Sequence, residues 1–175
     1  PAKINWFLDV GQKRSDGYHE LDSLMQRISL SDRMEFTVLE EDVLECEDGG
    51  ACGCPPGDNL VIKAARRLKD ACCCSLGARV RIDKRVPTGA GLGGGSANAA
   101  IALRTLASLW SLDIGHEALH VIARSLGADV PFFLGTPAAR CRGIGDLLDP
   151  IPPRSHHLVL WNPGTLLSTA SVYAA

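Results

Sequence analysis

The sequence lacks a surplus of charge of either sign. Its 18 Lys and Arg stand against 20 Asp and Glu, which gives no electrostatic basis for binding nucleic acid or a membrane surface. A long apolar run is also missing: charge, Gly or Pro interrupts every hydrophobic stretch before the ~20 residues a membrane-spanning helix needs. No signal-peptide pattern follows Pro1, so the expected location is cytoplasmic. No internal repeat is visible. The seven cysteines (Cys46, Cys52, Cys54, Cys72, Cys73, Cys74 and Cys141) are odd in number, and without a secretory signal they do not read as a disulfide framework. Zinc sites use paired ligands at repeated short spacing, whereas one residue separates Cys52 from Cys54. The cysteines are therefore expected to be reduced thiols and no metal centre is assigned; a Cys52, Cys54 and Cys72–Cys74 cluster is the arrangement a metal would need.

What is present fits a globular chain, since 46% hydrophobic and 22% charged residues suffice for a buried core. Its length suits one domain or one domain with part of a second. Lys3–Val10 alternates and reads as a strand, followed by a polar turn over Gly11–Gly17. Leu21–Leu30 has apolar residues at mixed spacing, and Arg33–Leu39 alternates as a clear strand. Glu40–Gly57 is an acidic loop rich in Gly, Cys and Pro, with room for a short strand at Val43–Cys46. Asp58 or Asn59 caps a helix to about Ala71. Ala78–Val86 alternates again, a helix runs to about Trp110, and another spans His116–Leu126 with Gly127 as its stop. Ala138–Leu148 and His157–Trp161 read as later strands. This order suits an α+β sandwich better than a strict βαβα succession.

Between the strand ending at Val86 and the helix lies Pro87–Ala100, PTGAGLGGGSANAA. Gly89, Gly91, Gly93, Gly94 and Gly95 allow positive φ and close approach of the backbone to an anion. Helix amides beginning near Ser96 and Ala97 then point at whatever the loop holds. Phosphate is the natural guest. The loop has neither the Gly-Lys-Ser/Thr ending of a Walker loop nor the spacing of a dinucleotide loop.

The loop instead resembles the signature of the GHMP kinases, which phosphorylate small metabolites with ATP. Pro1–Asn5 (PAKIN), Gly17–Glu20 (GYHE), Asp83–Pro87 (DKRVP) and Leu126–Phe132 (LGADVPF) resemble, in order, the motifs of the branch acting on a cytidylylated methylerythritol, and Thr165–Tyr173 continues the match. The resemblance implies an α+β fold, the ribosomal protein S5 domain 2-like α/β sandwich. Residues 1–153 would form this catalytic domain, and residues 154–175 would begin a second, truncated α+β domain. A missing N-terminus is likewise expected from the start at Pro1.

By the same resemblance Asp129 is the catalytic base, and Lys3 beside it stabilises charge on the transferred phosphoryl group. ATP, with Mg²⁺, would be held by Pro87, Thr88, Gly89, Ala90, Gly91, Leu92, Gly93, Gly94, Gly95, Ser96 and Ala97, with Asn59, Leu60 and Lys84 near the adenine. Tyr18 and His19 would hold the cytosine, Tyr173 its other face, and Asn5 the methylerythritol end. The expected partners are thus ATP and this small molecule, with no nucleic acid or membrane. Another GHMP kinase acting on mevalonate or homoserine, or a nucleotide-binding fragment without turnover, are the alternatives.

Overall fold

The computed structural model describes residues 1–15, 17–162 and 164. Seven strands and four α-helices follow one another among them. Strands β1 (Lys3–Lys13) and β2 (His19–Arg27) form an antiparallel hairpin. Then come β3 (Arg33–Leu39), β4 (Leu44–Glu47), α1 (Leu60–Cys72) and β5 (Gly77–Asp83). The remainder is α2 (Gly94–Leu109), α3 (His116–Leu126), α4 (Val130–Leu134), β6 (Ala138–Gly143) and β7 (Leu147–Pro150).

The strands make two sheets. One is antiparallel with order β1-β2-β6-β7; the other has order β3-β5-β4, with β4 parallel to β5 and α1 as the crossover between them. Helices α1 and α2 pack against the β3-β5-β4 sheet, and α3 and α4 pack in turn on those helices. Val61, Ala64, Ala65 and Leu68 of α1 meet Ala99, Leu103 and Leu106 of α2, with Val80 from β5 and Phe132 and Phe133 from α4 in the same core. Alanines at 97, 99, 100 and 102 of α2 are buried, and their small side chains let α1 and α4 approach closely. Each fully buried leucine in this core contributes about 1.5–3 kcal/mol.

The expected α+β architecture is present, with several local differences. Strand β1 continues through Lys13 where a turn was expected, because its pairing with β2 absorbs two bulges. Trp6 and Phe7 together oppose Leu24, and Gly11 with Gln12 oppose Glu20. An extra residue shifts the alternation of β1 by one, whereas β2 lacks a clean alternation because the polar Ser23 and Gln26 are among its buried residues. The expected strand Ala138–Leu148 is a hairpin, broken at Gly143 (φ 69°) and Gly145 (φ 100°), and α2 begins at Gly94, before Ser96. His157–Trp161 forms no strand. The chain just before it is fastened to the first sheet: Gln26 accepts from the Arg154 amide at 2.9 Å and donates to the Arg154 carbonyl at 2.7 Å. Trp6 stacks edge-on against His156, ring centroids 5.1 Å apart.

The cysteine expectation is corrected at one pair. Cys52 and Cys54 are disulfide-bonded. The turn through Gly53 (φ 66°) brings their Cα atoms to 5.4 Å, within disulfide reach. The other five are free thiols. Among the described residues no three His, Cys, Asp or Glu side chains converge as metal ligands, and no helix is long and apolar enough to cross a membrane.

Candidate active site

Lys3 opens β1 with its side chain turned inward and only 7% of the residue exposed. A buried ammonium needs acceptors, and Lys3 finds two. Its Nζ donates to Asn5 Oδ1 at 2.7 Å and lies 3.6 Å from Asp129 Oδ2. Asn5 in turn donates to Ser23 Oγ at 2.6 Å, and Ser23 donates to the Phe7 carbonyl at 2.7 Å. This relay fixes the Asn5 amide with its oxygen toward Lys3. Ser23 sits opposite Cys141 in the β2–β6 register; burial pushes the Cys141 thiol up to about 12, so the floor of the site carries a neutral thiol.

Asp129 precedes α4, whose start is set by Pro131 in its first turn. Its carboxylate does not cap that helix and its side chain stays 34% exposed. It is therefore open to an incoming group while held against a cation. Arg27 secures the other end of α4, Nη2 donating to the carbonyls of Phe132 at 2.8 Å and Gly135 at 3.1 Å. The Arg27 guanidinium also lies over the rings of Phe132 and Phe133.

The glycine loop rests directly on this pair. The Lys3 amide donates to the Leu92 carbonyl at 2.8 Å. Gly93 has φ 68°, and a Cβ there would stand 3.0 Å from the Phe133 ring and 3.1 Å from Lys3 Cγ. Gly93 is also the N-cap of α2, and no side chain caps that helix. The first-turn amides of Gly94, Gly95 and Ser96 thus remain for a ligand, at the positive end of a 16-residue helix. Ala90 and Leu92 are half-buried, Pro87, Thr88, Gly89, Gly91 and Gly95 exposed. Thr88 Oγ1 donates to the Ala51 carbonyl at 2.9 Å, tying the loop to the cysteine-bearing segment. Leu60 borders Gly95, its Cδ1 3.6 Å from where a Cβ would stand.

Two donor-side residues also serve the fold. Asn59 caps α1, its Oδ1 accepting from the Val61 amide at 2.9 Å. Lys84 is paired with Asp32, Nζ to Oδ2 at 2.6 Å. Tyr18 and His19 stand apart from Lys3 and Asp129, at the far end of the β1–β2 hairpin, where Lys13 and His19 make the last register pair. His19 Nδ1 lies 3.1 Å from the Gly11 carbonyl and Tyr18 is 59% exposed. Tyr173 lies outside the described residues. Two clefts of about 270 and 380 Å³, bordered by Asp42 and Lys69 and by Arg33 and Arg81, lie away from the loop; the loop and its pair occupy an open face. Arg27, Ser23 and Asp32 have no signature in the sequence, because each acts through partners more than 15 residues away.

An inward lysine, an uncapped carboxylate and a glycine loop opening a helix thus meet on one face of the domain. Residues 59–136 match the model of the GHMP kinases N terminal domain, and over that span the chain is a GHMP kinase N-terminal domain. It is similar to 4-diphosphocytidyl-2-C-methyl-D-erythritol kinase of Paramagnetospirillum magneticum, 44% identical over 176 residues covering 100% of this chain and 62% of the relative. The enzyme of that name from Shewanella piezotolerans is 41% identical over 174 residues, covering 99% and 61%. A crystal structure of 4-(cytidine 5'-diphospho)-2C-methyl-D-erythritol kinase superposes with TM-score 0.74 at 41% identity, covering 86% of this chain and 53% of that one. Methanococcus jannaschii mevalonate kinase shares the fold, with TM-score 0.64 at 12% identity over 87% of this chain and 54% of its own. The chain thus spans about three fifths of the length of the curated relatives it matches.

Proposed function

We propose that the protein catalyses transfer of the γ-phosphoryl group of ATP to the 2-hydroxyl of 4-diphosphocytidyl-2-C-methyl-D-erythritol, in the cytoplasm, as a step of non-mevalonate isoprenoid precursor synthesis. The observation that carries this reading is the Lys3–Asp129 pair at 3.6 Å, set against the loop through the Lys3–Leu92 bond. Asp129 takes the proton of the acceptor hydroxyl as its oxygen attacks the γ-phosphorus and ADP leaves. Lys3, fixed by Asn5, supplies positive charge where negative charge spreads over the transferred group. The loop amides and the α2 dipole hold the remaining phosphates. Mg²⁺ would be carried by the ATP phosphates, with the Ser96 hydroxyl at the start of α2 as the protein oxygen beside them, and would neutralise phosphate charge there.

The positions of the residues assigned to the two ends of the acceptor support this substrate. Asn5 lies beside the reacting pair, while Tyr18 and His19 lie at the opposite end of the hairpin. A ligand touching both must be elongated, with an aromatic base at one end and a polyol at the other. Mevalonate and homoserine reach only one end. ADP release by the full-length protein, measured with the cytidylylated acceptor, mevalonate and homoserine, tests the reading. Turnover is expected with the first alone and should fall at least about a thousandfold in Asp129→Asn. Near-normal turnover in that variant sinks the role of Asp129; equal use of mevalonate sinks the substrate.

A further inference from the structure

The side chain of Asp32, in the turn before β3, is 1% exposed, yet it touches neither Lys3 nor Asp129 in any hydrogen bond or ion pair among the described residues. All its acceptor capacity goes to the two flanks of the glycine loop. Oδ1 accepts from the amides of Arg85 and Val86, each at 2.8 Å. Oδ2 accepts from Lys84 Nζ at 2.6 Å and Asn98 Nδ2 at 2.8 Å. The first three donors lie where the chain leaves β5 for the loop; Asn98, itself buried, lies in the second turn of α2. One carboxylate thus closes the neck of the segment that runs from Val86 to Asn98.

We propose that Asp32 is a positioning residue for nucleotide binding, holding the entry and exit of the loop together so that the first amides of α2 stay aimed at phosphate, a role that rests on the loop being the ATP site. Lys84 is then the counter-ion of the neck rather than a nucleotide ligand. The packing agrees: a Cβ at Gly94 would stand 2.9 Å from Val86 and 3.3 Å from Lys84 Nζ, so the two flanks are already in contact. Four donors around a buried carboxylate leave it little freedom, and losing its charge leaves the half-buried Lys84 ammonium without its counter-ion. Burial alone would raise the Asp32 carboxyl. Its hydrogen bonds from Lys84, Val86, Arg85 and Asn98 outweigh that and hold it below the ordinary carboxylate range. The neck is therefore charged, and closed, at any pH where a kinase works.

The test separates donor from acceptor on the full-length protein. Equilibrium ATP titration, KM for ATP and KM for the acceptor would be measured in Asp32→Asn and in Asn98→Ala. The second variant keeps the ion pair and removes only the tie to α2. ATP affinity and KM for ATP should weaken about tenfold or more in Asp32→Asn and severalfold in Asn98→Ala, with the acceptor KM within about twofold. Amide exchange at Gly89–Gly95 should quicken in both. Should Asp32→Asn fail to fold, Asn98→Ala decides alone. ATP affinity unchanged in a folded variant, or acceptor and ATP constants shifted equally, overturns the proposal. A wild type that binds ATP but ignores the cytidylylated acceptor overturns the substrate reading and leaves the neck standing; one that binds no ATP overturns both.

Discussion

Lys3 and Arg27 face each other across β1 and β2, and their side chains take hold of opposite ends of the same five-residue helix. Lys3 reaches the carboxylate of Asp129 at its start and Arg27 the carbonyls of Phe132 and Gly135 at its end. A helix this short has no stability of its own, so its place is set by these two cations and by the buried rings of Phe132 and Phe133.

Replacing Arg27 by Met should therefore act at a distance. Two carbonyls lose a charged donor, which costs about 2–3 kcal/mol of stability. With Asp129 less well placed, kcat should fall about tenfold while KM for ATP holds. Steady-state kinetics below the variant's lowered Tm check this, and an unchanged kcat would show that α4 needs no hold at its far end.

Gly93 and Gly91 offer a controlled comparison. Both have positive φ, near 70°, but only Gly93 is hemmed in, by Phe133 and Lys3; a Cβ at Gly91 meets nothing within 4 Å. Alanine at Gly91 should cost only the left-handed backbone penalty of about 1–2 kcal/mol. At Gly93 it also displaces Lys3, and kcat should fall there alone. Parallel titration with ATP and turnover assays separate the two, and equal behaviour of the pair would contradict the packing.

Gly77 has a structural role of a different kind. A Cβ there would stand 2.2 Å from the Glu41 carbonyl oxygen and 2.3 Å from that of Val43, both backbone atoms that cannot swing aside. Its own carbonyl accepts from Trp110 Nε1 at 3.1 Å, which pins the end of α2. Gly77→Ala should lose more than about 3 kcal/mol in urea unfolding; a loss under about 1 kcal/mol would be incompatible with this corner.

His120 should give the fold a pH dependence. Burial, and next the neighbouring His116 ring 4.4 Å away, lower its pKa, and its Nε2 is buried without a hydrogen-bond partner among the described residues. In the unfolded chain the imidazole titrates near its ordinary value of about 6.5. Below that pH the unfolded state takes up a proton that the folded state resists. The contribution is thus complete above about pH 6.5 and is lost as pH falls through the lowered folded value. Tm should decline from about pH 6.5 downward, and His120→Gln should flatten that decline. A wild-type Tm flat between about pH 7 and 5 would count against it.

The readable parts of this chain are those where local chemistry decides structure. The alternation of Arg33–Leu39, the Asn59 cap, the Gly127 stop and the glycine loop before a helix are all present as expected. What escaped depends on distant partners. β2 is disguised by Ser23 and Gln26, polar residues buried against partners far along the chain, and α4 is too short for periodicity. The hydrophobic run from Leu158 to Trp161 suits a strand, yet no neighbour pairs with it among the described residues. The site divides in the same way: Lys3, Asp129 and the loop follow from motifs, whereas Ser23, Arg27 and Asp32 emerge only when distant segments are brought together.

Strand β1 lies at the border of its sheet, and an 11-residue border strand is ordinarily an invitation for another chain to pair with it. Its two bulges cut that border into short runs whose amides and carbonyls no longer point along one line. Near its start the Lys3 amide is already taken by Leu92. The two bulges thus guard this border against edge-to-edge pairing, leaving no long straight run of β1 for another chain to join.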